Sequence, residues 1–182
     1  PDVPRQHLLT LFAMASDSVR RELAAADPRK ASLIEELVTR ASDQIQADAR
    51  EQSAEFKAAY SRIQSLYAAG KLSEAKLLTF ANHGGVDQIS IALALMCKLH
   101  VGITERALVQ RHTDQILVFS KSIGLTWETT KAILRAAAGA KGYTPQYLDQ
   151  AAANFRKLKQ ETANKAIQFY RLRERASRGS PS

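Results

Sequence analysis

The chain has 182 residues, 45% of them hydrophobic, and 26 Lys+Arg against 18 Asp+Glu give it a formal net charge of +8. That length suits one domain or one with a small appendage, and so much apolar matter can fill a core, which argues against a disordered chain. The single cysteine, Cys97, excludes an internal disulfide, and the longest apolar run is far short of the ~20 residues that cross a bilayer.

Glycines and prolines are few and stand between long runs rich in Ala, Leu, Lys, Arg, Glu and Gln, which predicts an all-α fold. No signal peptide is visible, and a start at Pro1 without methionine is expected for a processed or excised chain. A first helix is expected from Pro4 to about Met14, and a second, capped by Ser16 or Asp17, to about Ala25. Asp27-Pro28 pairs a cap with an N1 proline, and Leu33, Ile34, Leu37, Val38, Ala41 and Ile45 then keep helical spacing. Ser53 offers a restart, followed by a stripe of Phe56, Ala59, Tyr60, Ile63, Leu66 and Tyr67 that ends at Gly70.

Between Gly70 and Arg135 one pattern recurs three times: glycine, an aliphatic residue, a hydroxyl residue and a glutamate. The copies are Gly70-Lys-Leu72-Ser73-Glu74, Gly102-Ile103-Thr104-Glu105 and Gly124-Leu125-Thr126-Trp127-Glu128. Glycine can close one helix in the left-handed conformation, and Ser or Thr can cap the next by accepting an orphan N–H bond. Leu72 with Leu77 and Ile103 with Leu108 have the spacing of a hydrophobic staple. Helices are expected at about 74–82, 87–99, 105–111, 114–123 and 127–138. The second of these is apolar around most of its girth and is expected at the centre of the core.

Thr144-Pro145 starts a further helix, and nothing in the sequence stops it before about Arg175. Leu148, Ala152, Phe155, Leu158, Ile167, Tyr170 and Phe169 can bury, whereas Lys159 to Lys165 is polar on all sides. This long helix is therefore expected to leave the main body or dock by its ends, and residues 177–182 are expected to be disordered. The domain reading is a helical bundle at 1–139 followed by a long basic C-terminal helix and tail at 140–182. The joints recur too irregularly for a strict repeat array, and an irregular HEAT-like stack of short antiparallel helices is the expected architecture.

The stretches Leu66-Tyr67-Ala-Ala-Gly-Lys-Leu-Ser73, Ala92-Leu-Ala-Leu95 and Gly124-Leu-Thr-Trp-Glu-Thr-Thr-Lys-Ala-Ile-Leu134 resemble the C-terminal half of the bacterial domain-of-unknown-function family 2336. Ala26-Asp-Pro28 and the Ile45-to-Ala49 region are compatible with it, so the resemblance spans about residues 4–138. It implies a helical, HEAT-like bacterial cytoplasmic protein, and it implies no reaction, cofactor or catalytic residue.

Four histidines, His7, His83, His100 and His112, lie too far apart for metal-ligand spacing, so no metal or cofactor is expected. His83 and His100 read as satisfying carbonyls at helix C-termini. Gly84-Gly85 lacks the lysine and strand of a phosphate loop, and Glu35-Glu36 reads as a solvated pair. Residues 116–135 resemble a helix-turn-helix, with Ser120, Gly124 and a second helix bearing Lys131 and Arg135. Against it, Thr130 stands where that motif wants a buried aliphatic, and the same joint occurs elsewhere in the chain.

All of the +8 comes from residues 121–182, since 1–120 hold 14 basic and 14 acidic residues. The expectation is a non-enzymatic, cytoplasmic protein–protein interaction module. Its candidate surface is Trp127, Lys131, Arg135, Arg156, Lys157, Lys159, Arg171, Arg173 and Arg175, with oligomeric state left open. The aromatic residues Phe155, Phe169 and Tyr170 are alternative packing points for another subunit. Nucleic-acid binding through the hairpin and the basic half is the alternative function. An enzyme would need a deep pocket of convergent polar groups around His100 or His112.

Overall fold

Arg50 and residues 52–178 are described by the computed structural model; the helices expected before Ser53 and the last four residues lie outside the described residues. Eight α-helices and no strand follow among the described residues: α1 (Ala54–Ala68), α2 (Glu74–Asn82), α3 (Val86–Cys97), α4 (Val101–Val109), α5 (Thr113–Ser122), α6 (Trp127–Ala138), α7 (Pro145–Lys157) and α8 (Gln160–Arg178). A single 3-10 turn, Gly139–Lys141, follows α6. The fold is all-α, as composition and periodicity predict.

Apolar girth decides which helix is central. Ile89, Ile91, Ala92, Leu93, Ala94 and Cys97 of α3 are all buried, so this helix has almost no solvent face. It packs against α1, α2, α4, α5 and α6, each of which offers only a stripe. α5 is the second hub, touching α3, α4, α6, α7 and α8, with Ile116, Leu117 and Phe119 inside.

Two of the three predicted joints form. Thr126 stands in extended conformation ahead of α6 and accepts from Thr129 N–H, while Gly124 turns the chain at φ +77°, where a side chain would be strained. Ser73 occupies the N-cap position of α2 but makes no side-chain cap bond. Leu77 is fully buried and Leu72 packs on the core, at the spacing of the expected staple.

The middle joint is a correction. Thr104 lies inside α4, fully buried, and donates to Ser90 O at 2.8 Å and Val101 O at 2.9 Å. The chain turns earlier, because Lys98 itself takes the left-handed conformation at φ 55° and ends α3 without a glycine. His100 then caps α4, its Nδ1 accepting from Gly102 N–H. Helix α4 thus starts at Val101, ahead of the expected 105, and the Ile103–Leu108 staple falls with the shift.

The C-terminal region is the second correction. The single long helix is two, α7 and α8, separated where Leu158 turns extended at ψ 117°. Tertiary contacts impose the break: Lys121 Nζ donates to Phe155 O at 3.2 Å and Gln160 Nε2 to Ser122 O. Phe155 and Ile167 both face the bundle across the break. α8 packs along α5, burying Ala163 and Ile167, with Tyr170 edge-on to Phe119 at 5.9 Å. It does not leave the body, because it packs along α5 over much of its length. Ser177 and Arg178, expected in the disordered tail, are in α8.

Candidate interaction surfaces

The hairpin that resembles a helix-turn-helix consists of α5, the turn at 123–126 and α6. In that motif the start of the second helix must be open to phosphate and base edges. Here the carboxylate of Glu74, at the start of α2, occupies it: Glu74 Oε1 accepts from Thr126 N–H at 2.8 Å and Thr126 Oγ1 at 2.6 Å. The Thr126 hydroxyl, then Thr129 and the Thr126 amide, hold the Glu74 carboxyl below its ordinary value of 4.5 against opposing desolvation. Thr130, the position that the motif reserves for a buried aliphatic, is fully buried here, and its hydroxyl is satisfied by Thr126 O at 2.8 Å.

Lys131 and Arg135, one turn apart on α6, line an open cleft of about 600 Å³ against α2. Leu78, Ala81, Ala132 and Ala136 supply its small apolar lining. Trp127 is half-buried and tilted against Phe155 at 5.8 Å, so it joins α6 to α7 as a packing residue.

The arginines of α8 divide by face. Arg171 turns inward, and its Nε and Nη2 donate to Cys97 O, the last carbonyl of α3. Glu174, one turn on, accepts from His100 N–H at 2.9 Å at the start of α4. A cation therefore meets a helix C-terminus and a carboxylate meets the next N-terminus, each matched to its dipole. That clamp stabilises the α3–α4 joint, which has no glycine of its own.

Outward on α8 stand Phe169 at 59% and Leu172 at 61% exposure, the two most exposed of the large hydrophobic residues described. The guanidinium of Arg173 lies over the Phe169 ring, 6.0 Å from its centroid. Arg156, Lys157, Lys159 and Arg175 are also exposed. The sequence offered Phe169 and Tyr170 alike as core or as packing points for another subunit, because periodicity cannot say which of them faces inward. It missed Leu172 because the face of α8 that turns outward is set by packing on α5, and it missed Glu74 because its partner, Thr126, is distant in the chain.

Of the four histidines, His7 lies outside the described residues, and His83 and His100 carry local structural roles. His83 Nδ1 donates to Thr79 O at 2.7 Å, the expected C-terminal contact. His100 instead caps an N-terminus, and His112 is an exposed residue before α5. No cluster of three His, Cys, Asp or Glu able to hold a metal ion occurs among the described residues. None of the described helices is long and apolar enough to cross a membrane. Cys97 is buried, and its thiol is pushed up to about 11 by desolvation, against the opposing Ser122 hydrogen bond and Arg171 charge.

A family model described as an uncharacterised protein conserved in bacteria, DUF2336, matches residues 1–168. The chain belongs to that family. The DUF2336 match runs past residue 138, through α7 and into α8, which extends the stretch on which the resemblance was drawn. α7 and the first half of α8 are therefore part of the family pattern, in keeping with their packing on α5. Phe169 and Leu172 lie just beyond the end of the DUF2336 match. No curated protein and no solved structure matches the chain.

Proposed function

We propose that the protein is a non-enzymatic, cytoplasmic, HEAT-like helical module that binds a protein partner, with the outer face of α8 as its docking surface. The observation that carries the reading is the exposure of Phe169 and Leu172, one turn apart on a helix whose opposite face is firmly held in the bundle. Aromatic and arginine side chains dominate binding energy at interfaces, and exposed apolar groups rimmed by polar ones mark such sites. The α2–α6 cleft, with Lys131 and Arg135, is a second surface of the same kind.

The test is affinity capture of the full-length protein from its own cells, beside a variant carrying Phe169→Ser and Leu172→Ser. Proteins retained by the first and lost by the second, with unchanged circular dichroism, support the reading. Identical captures, or none, remove it. Nucleic-acid binding is the weaker reading, because the Glu74 carboxylate sits on the helix end that phosphate would need. Phosphate-driven affinity falls steeply with salt, so failure to bind random duplex at low ionic strength ends that alternative.

A further inference from the structure

We infer that the partner of the α8 face is an acidic amphipathic helix: a segment with an apolar stripe at helical spacing, flanked by Asp and Glu. The inference rests on the interaction reading above and adds the chemistry of what is bound. Phe169, Leu172 and the exposed Ala176 follow one another at helical spacing and form a stripe over the last turns of α8. Such a stripe is what a second helix covers when it lays its own apolar side into place.

Charge decides the character of that helix. Glu174, the only carboxylate in the last turns of α8, is turned to His100 N–H, and Arg171 is turned to Cys97 O. Among the described side chains of these turns, the charges left beside the stripe are Arg173, stacked over Phe169, and exposed Arg175. Stacking holds the Phe169 ring and keeps a cation at the edge of the apolar contact, so less ordering is needed on binding. A flanking carboxylate on the incoming helix would pair with these guanidinium groups, and a flanking lysine would be repelled.

The same charges disfavour the other occupants. A second copy meeting this face across a twofold axis would bring Arg173 and Arg175 of both chains around one apolar contact, with Glu174 turned to His100 N–H and exposed Glu161, three turns away, already paired with Lys165. A membrane surface requires a continuous apolar face, whereas Ala163, Ile167 and Tyr170 of α8 are turned into the bundle. A nucleic acid would engage the arginines but leave Phe169 and Leu172 unused.

The experiment places a photo-crosslinking benzophenone side chain at position 169 of the full-length protein in its own cells, and a second at position 135 in the cleft. Crosslinked peptides are then sequenced. The expected product at 169 is a segment of another protein, net negative and with apolar residues at helical spacing. Charge reversal by Arg173→Glu with Arg175→Glu should lower its yield at least tenfold while the melting curve stays unchanged, since both side chains are exposed and outside the clamp. A neutral or basic protein segment at 169, or a yield indifferent to charge reversal, overturns the acidic partner and leaves the interaction reading standing. A lipid, a nucleic acid or a second copy at 169 overturns the inference. Products at 135 alone also overturn it and move the interaction to the cleft. No product at either position removes both.

Discussion

Ser73, Thr104 and Thr126 occupy the same place in the same short pattern, yet only Thr126 caps a helix with its side chain. Local spacing alone cannot separate them, because the difference lies at Lys98, whose left-handed turn starts α4 early and carries Thr104 into the core. Glu74 shows the converse, a residue legible as a first-turn acid but not as the partner of Thr126, 52 positions away. Its carboxyl is lowered on folding, so the stabilisation is fully present above the ordinary value of 4.5 and is lost as pH falls through the folded value. Melting of the native protein should therefore decline more steeply below about pH 4.5 than that of Glu74→Gln, measured by circular dichroism across a pH series. Equal slopes would mean that the bond carries no pH-dependent stability. Cys97 supplies a second residue-scale expectation. Burial keeps it a protonated thiol at neutral pH, and the thiolate is the nucleophile, so iodoacetamide should label it only after denaturant unfolds the chain. Labelling of the folded protein at the rate of a free thiol would contradict that burial.

At the scale of elements, helix starts with proline or glycine signals were legible: α6 begins after Thr126, and α7 begins after Thr144 with Pro145 at N1. The break between α7 and α8 was not, since Leu158 and Lys159 carry no stop signal and the turn is imposed by contacts from α5. Nor could sequence separate the arginines of α8, which look equivalent as a basic run. The clamp predicts that they differ. Arg171→Ala removes a charged donor from the end of α3 and should cost about 1.5–3 kcal/mol, the range for hydrogen bonds to charged groups. Arg173→Ala, at an exposed position, should stay within about 0.5 kcal/mol of the parent. Urea unfolding of the two variants side by side decides the matter. Equal midpoints would show that α8 is not fastened at the α3–α4 joint.

At the scale of the molecule, the apolar girth of one segment was enough to place α3 at the centre, and the charge asymmetry was legible as a count. What the count could not show is that α8 has one face inside and one outside. An appended helix and an integral one differ in what its removal uncovers. Ending the chain at Lys157 would strip Ala163, Ile167 and Tyr170 from α5, expose the fully buried Phe119 and release the cap on Cys97 O. At about 25 cal/mol per Å² of apolar surface, uncovering several such side chains amounts to several kcal/mol. A whole domain is held by only about 5–15 kcal/mol, so the loss is a large fraction of the total. That truncation should lose cooperative urea unfolding and bind the dye ANS, which reports exposed apolar surface. Ending the chain at Glu174 keeps both arms of the clamp and all of the inward residues, and should unfold at the parental midpoint. If the shorter chain also unfolds cooperatively at that midpoint, α8 is an accessory to the bundle, and its outer face is not being held in position by the core.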